Sequence, residues 1–148
     1  MIEVHEISKK YGDRLVVDSI SFTVQRGEIL GFLGQNGAGK TTTMKILTTF
    51  MAATSGVAKV AGYDVFESPL EVKKRIGYLP EAPPLYSELV VSEYLSFIAD
   101  LRRIPSAEKN VKISTAIERC QLGSVRNRLI GNLSKGYRQR LGLSLIHI

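Results

Sequence analysis

The residues best suited to chemistry are Gly34, Gln35, Asn36, Gly37, Ala38, Gly39, Lys40 and Thr41, which match G-x-x-x-x-G-K-[ST] at every fixed position. Glycines at those intervals let the main chain curl until successive N–H groups point inward, as phosphate oxygens require. A helix beginning after Gly39, with Thr41 and Thr42 in its first turn, adds the positive end of its dipole at the same place. Lys40 offers a point charge to the β- and γ-phosphates of a nucleotide, and the Thr41 hydroxyl is a ligand for Mg²⁺. The bland alternative is a glycine-rich turn followed by a chance lysine. It does not require a strand before the loop and a helix after it, and both are expected here.

A second candidate is Ser134-Lys135-Gly136, just before the last helical stretch. Ser134 stands where an N-cap belongs, so its hydroxyl and the following N–H groups form an anion site. Leu-Ser-x-Gly before a helix is, alone, only a capped turn. Cys120, His5 and His147 carry less. Cys120 has no second cysteine to pair with and falls on the apolar face of a predicted helix, so it reads as core. His5 reads as surface and His147 as a helix-end residue.

The elements that must position these residues follow from periodicity. Ile2 and Val4 alternate with polar neighbours, Tyr11-Gly12-Asp13 turns, and Ile20, Phe22 and Val24 share one face: two antiparallel strands. After Arg26-Gly27, the run Glu28–Leu33 looks like a strand buried on both faces, leading into the Gly34–Gly39 loop. A helix is expected from Lys40 to about Thr49, a strand over Val57–Ala61, a helix around 69–75 and a buried strand over Ile76–Leu79. Pro80 to Pro84 is a stiff loop. Val91, Tyr94, Leu95, Ile98 and Leu101 keep helical spacing up to Ile104-Pro105. Ser106 is placed to cap the next helix, whose stripe is Ile113, Ala116, Ile117 and Cys120.

Composition narrows the function classes. The 148 residues are 44% apolar and 23% charged, enough for one domain with its own core. No apolar run approaches the ~20 residues of a membrane-spanning helix, and Met1–Lys10 alternates, unlike a secretory signal. A cytosolic start is expected. The net charge of +6 invites a nucleic-acid reading, with Arg126, Arg128, Lys135, Arg138 and Arg140 close together. No aromatic residues alternate with them as a stacking platform needs, so no nucleic-acid partner is expected.

The segment Leu133-Ser134-Lys135-Gly136-Tyr137-Arg138-Gln139-Arg140 closely resembles the signature of ABC-type ATPases, whose common form is L-S-G-G-Q followed by basic residues. Lys135 replaces the first glycine and Tyr137 the glutamine, a variant similar to that of ATP subunits of ABC-2-type exporters, including the gliding-motility kind. The resemblance covers Ile2 to about Gly142. It implies an α/β P-loop fold with an N-terminal antiparallel β part, a helical subdomain at about 82–131 and an incomplete core sheet. It also implies ATP and Mg²⁺ as cofactors, with Tyr11 stacking on adenine. Ser134, Lys135 and Gly136 would close over the γ-phosphate held by a second ATP-binding subunit in a head-to-tail dimer. Ile76-Gly77-Tyr78-Leu79-Pro80-Glu81 resembles the approach to the family's Gln loop, with Glu81 where glutamine is usual. A carboxylate there can approach Mg²⁺, as Thr41 can, but when ionised it cannot donate a hydrogen bond.

The family's partner is a transmembrane permease, facing Pro83–Tyr86, so the resemblance implies a peripheral place on the cytoplasmic face of the membrane. A soluble ABC-type ATPase acting on ribosomes or DNA is the alternative. The aspartate for Mg²⁺, the water-polarising glutamate and the γ-phosphate histidine, which the family carries after the signature, have no counterparts in the sequence, so no catalytic residue is assigned. Residues 143–148 match the translation of a common sequencing adaptor, and the natural sequence is expected to depart at about Gly142.

Overall fold

A computed structural model describes all of residues 1–148. It consists of two compact units, Met1–Gly77 and Tyr78–Ile148.

In the first unit, β1 (Ile2–Tyr11) and β2 (Arg14–Val24) pair antiparallel across the tight turn at Gly12-Asp13. β3 (Ser55–Val60) pairs with the other edge of β1, and the short β4 (Tyr63–Asp64) pairs with β3, giving the order β2-β1-β3-β4. Val4 and Ile7 are both fully buried although three residues apart, which a regular strand forbids because side chains alternate. A register shift between them resolves the parity: Glu6 takes φ +49° and its N–H donates to Ser21 Oγ at 2.8 Å. The same irregularity needs a glycine on the neighbouring strand. A Cβ on Gly56 would stand 2.3 Å from the Glu6 carbonyl oxygen.

Helix α1 (Lys40–Leu47) buries Thr43, Ile46 and Leu47. Ile46 and Leu47 join Val4, Ile7, Val17, Ala58, Val60, Val65 and Val72 in one core. Val72 belongs to α2 (Pro69–Lys73), which starts on a proline whose missing N–H has no helical use there.

Two expected strands are corrected. Glu28–Leu33 and Ile76–Leu79 form no ladder. A strand buried on both faces depends on parallel neighbours, and the sheet of this unit is antiparallel throughout. Phe32 still packs, its ring 5.5 Å from that of Phe22, but Ile29 and Leu33 are 96% and 92% exposed.

The second unit is helical. α3 (Val91–Leu101) and α4 (Ser106–Arg119) precede two short 3-10 turns, Gly123–Val125 and Ile130–Asn132, and α5 (Lys135–His147). Its core gathers Val91, Tyr94, Leu95 and Ala99 of α3 with Ile113 and Ile117 of α4 and Leu141 of α5. Cys120 lies in the same core, as its place on the stripe implied. The inner face of α3 runs through Ala99 rather than Leu101, which is exposed. Ser106 does not cap α4: it is the first helical residue, Pro105 is the N-cap, and the Pro105 carbonyl accepts from Glu108 and Lys109 N–H. The proline ring fixes the entry φ, so the hydroxyl is not needed. No helix is long and apolar enough to cross a membrane.

Candidate functional site

The phosphate-type loop is held open by its own backbone. Gly37 and Gly39 take φ +87° and +83°, and Ala38 N–H closes a turn on the Gln35 carbonyl at 3.2 Å. Gly39 is the left-handed N-cap of α1, and the first helical bond runs from Thr43 N–H to the Gly39 carbonyl at 2.8 Å. The N–H groups of Lys40, Thr41 and Thr42 therefore lie ahead of that bond, where a helix start leaves donors without intrahelical partners. The Lys40 ammonium folds over the loop and donates to the Gly34 carbonyl at 2.5 Å and the Gln35 carbonyl at 2.7 Å. Gly34 through Ala38 and Thr41 are exposed. Left-handed glycines, free helix-start donors and one ammonium make a set that fits a polyphosphate, with Lys40 and the N–H groups of residues 37 to 42 to hold it.

The strand behind the loop brings Tyr11 near it. Val16 and Val17 of β2 lie directly against Gly39, where a Cβ would come within 2.6 Å of the Val16 carbonyl oxygen. Across the β1–β2 ladder Val17 pairs with Lys9 and Arg14 with Tyr11. Tyr11 thus ends β1 about two residues, roughly 7 Å, from the contact with the loop. It is 47% exposed, and its hydroxyl donates to Met51 Sδ at 3.2 Å. Sequence reasoning singled out Tyr11 but missed Val16 and Lys9. Nothing in the sequence of a hairpin tells which cross-strand residue will support a loop further along the chain.

In the second unit, Ser134 caps α5 as expected: its Oγ accepts from Tyr137 N–H at 3.4 Å. Ser134, Lys135 and Gly136 are all exposed, and a Cβ at Gly136 would meet nothing within 4 Å. Tyr137 turns away from this open turn. Its hydroxyl is 3.2 Å from Ser124 Oγ, the Arg140 guanidinium lies 4.9 Å over its ring, and Arg140 reaches Gln121 at 3.4 Å. The i, i+3 spacing of Tyr137 and Arg140 on a helix was the available sequence signal. Arg138 donates to the Leu133 carbonyl at 2.6 Å, which fastens the turn from below.

Glu81 is exposed, and its main-chain carbonyl accepts from the Gln139 side-chain amide. With Ala82, Pro83, Lys135, Arg138 and Gln139 it lines a cleft of about 240 Å³. Gly142 packs on the same segment: a Cβ there would come within 2.7 Å of Leu79 and 2.9 Å of Pro83. No group of three or more His, Cys, Asp or Glu side chains gathers to hold a metal ion. Thr41 and Glu81 belong to different units. Burial pushes the Cys120 thiol up against a smaller opposing pull from Arg119, and burial followed by Tyr86 does the same to the Tyr94 phenol.

The sequence profile of the ABC transporter family matches residues 17–147. This chain belongs to the ABC transporter family. Over 99% of its length it is 39% identical to Probable multidrug ABC transporter ATP-binding protein YbhF of Escherichia coli (strain K12), of which it spans 26%. It is 36% identical to the Bacitracin transport ATP-binding protein BcrA of Bacillus licheniformis, spanning 48%, and 33% identical to ABC transporter ATP-binding protein NatA of Bacillus subtilis (strain 168), spanning 63%. A solved ATP-binding subunit of an ABC transporter superposes with a TM-score of 0.83 at 29% identity, over 98% of this chain and 60% of that one. The fold is shared too with cbiO1 of Clostridium perfringens, part of the cbiONQ transporter complex, at a TM-score of 0.85, 22% identity and 60% of that chain. The chain therefore spans between a quarter and two thirds of these proteins.

Proposed function

We propose that this chain carries the nucleotide-binding part of an ATP-binding, energy-coupling subunit of an ABC transporter. The observation that carries the proposal is the loop from Gly34 to Thr41, where left-handed glycines, the free donors at the start of α1 and the Lys40 ammonium converge. Bound ATP supplies the phosphoanhydride whose hydrolysis drives transport. Lys40 would exchange its two carbonyl partners for phosphate oxygens, the loop N–H groups would orient the chain of phosphates, and the Thr41 hydroxyl would hold Mg²⁺.

Ser134, Lys135 and Gly136 form a second anion site, open to solvent rather than facing their own helical core. An open site of this kind suits the nucleotide of another subunit, in a head-to-tail pair. The transmembrane permease would meet the Pro83–Tyr86 side, placing the subunit on the cytoplasmic face of the membrane. The relatives' names speak of multidrug and bacitracin transport, and transport of a small molecule is the corresponding proposal here.

The test is Mg-ATP binding to the full-length protein by calorimetry. Lys40→Ala should weaken it at least 10-fold, since a charge-assisted contact is worth about 1.5–3 kcal/mol. Binding equal to wild type would remove the loop from the site.

A further inference from the structure

We propose that Lys9 and Met51 are positioning residues for the nucleobase: together they fix the Tyr11 ring as a stacking platform before ligand arrives. The inference rests on the phosphate-loop reading and on the base stacking that the resemblance implies for Tyr11; what it adds is the two residues that hold the ring.

Lys9 and Tyr11 are two residues apart on β1 and so share a face of the strand. The Lys9 ammonium lies over the Tyr11 ring, 5.5 Å from its centroid. It is not a loose surface cation, because it donates to the Ala52 carbonyl at 2.7 Å. At the far end of the ring, the hydroxyl is held by Met51 Sδ at 3.2 Å. Both partners, Met51 and Ala52, come from the segment that follows α1, the helix whose first turn closes the phosphate loop. The ring is thereby fixed at its face and at its tip. An aromatic side chain free to turn about two torsions must be ordered when a base stacks on it; one already ordered avoids that loss. The cation occupies one face and 47% of the residue is exposed; the opposite face is the one assigned here to a planar ligand. The ladder puts this platform beside the loop, since Lys9 pairs with Val17 and a Cβ on Gly39 would stand 2.9 Å from Val17 Cγ2. A ribose would span the gap between a base stacked there and phosphates on the loop. The ligand class is the nucleobase already implied for Tyr11; Lys9 and Met51 act on it only through the ring they hold.

The experiment measures affinity of the full-length protein for Mg-ATP and for inorganic tripolyphosphate, which lacks a base. Lys9→Met keeps the aliphatic stem and removes the charge; Met51→Leu keeps the bulk and removes the acceptor. Each should weaken ATP about 2- to 5-fold, the range of an exposed cation–π contact or a sulfur–aromatic one, and leave tripolyphosphate unchanged. Neither should add to the loss in a Tyr11→Ala background, and Lys9→Arg should keep wild-type ATP affinity. Lys9→Met weakening both ligands equally would make Lys9 a phosphate ligand and overturn the proposal. Unchanged or tighter ATP binding would overturn it as well. Lys40→Ala is the control: tripolyphosphate binding that survives it would sink the phosphate-loop reading, a result distinct from any Lys9 outcome. Circular dichroism melts of each variant separate these effects from unfolding.

Discussion

Gly39 sits against the carbonyl oxygen of Val16 with no room for a side chain, since a Cβ would stand 2.6 Å from that oxygen. Backbone atoms cannot step aside as the end of a flexible side chain can. Gly39→Ala should therefore fail twice, through φ +83° and through contact with Val16 and Val17. Left-handed backbone costs a non-glycine residue about 1–2 kcal/mol, and the clash adds to it. Gly37→Ala meets only the first cost, because nothing lies within 4 Å of its Cβ. Urea denaturation should place Gly39→Ala well below Gly37→Ala. Equal stability would show that the loop can retreat from β2.

Gly136 makes the opposite case. It lies in the first turn of α5 at ordinary φ, and an added Cβ touches nothing. Alanine favours a helix over glycine by up to about 1 kcal/mol, so Gly136→Ala should not lower the melting temperature. If the turn meets another subunit's nucleotide, the same substitution should impair ATP-driven dimerisation while leaving monomer ATP affinity intact. Analytical ultracentrifugation with Mg-ATP reads this directly, and wild-type dimerisation would argue against that geometry. Ser134→Ala should add a stability loss near the low end of the usual 0.5–2 kcal/mol for a lost cap, because the Oγ to Tyr137 N–H distance is a long 3.4 Å.

Much of this was legible in the sequence where short-range chemistry decides. The G-x-x-x-x-G-K-[ST] run needs only local backbone and the start of α1, and Ser134 caps α5 as its position before the last helix implied. The stripe Ile113, Ala116, Ile117 and Cys120 is buried as its spacing required. What periodicity cannot supply is the partner of a strand. Glu28–Leu33 and Ile76–Leu79 have the composition of buried strands, yet a ladder is a property of two segments and no neighbour pairs with either. The contact of Val16 with Gly39 and the irregularity at Glu6 are likewise set by cross-strand register, which shifts three times along β1.

Cys120 gives a prediction in pH. Its thiol is buried, and burial raises its pKa because the thiolate loses hydration. The folded state therefore holds the proton to higher pH than the unfolded chain does. Below the ordinary thiol range the group contributes no pH dependence; as pH rises through that range, the unfolded state gains by ionising first and stability falls. Iodoacetamide should modify Cys120 slowly in native buffer at pH 8 and quickly in denaturant. Fast native labelling would mean that the helical core opens readily.

The last prediction concerns the polypeptide of residues 1–148 as such. Ile29 and Leu33 are 96% and 92% exposed on a segment without ladder partners, so its main-chain N–H and C=O groups are free to pair with another molecule. That combination promotes association through an unpaired strand edge. Light scattering should show concentration-dependent association that Ile29→Lys together with Leu33→Lys suppresses. Neither side chain is part of the core, so the double substitution should leave the melting temperature unchanged. Phosphate release with Mg-ATP should be negligible in both forms. No carboxylate follows Glu118, which lies in α4 ahead of Ser134, so this polypeptide has no acid beyond the signature turn to orient an attacking water. Robust turnover by a monodisperse sample would refute this prediction and require a carboxylate earlier in the chain to orient the water.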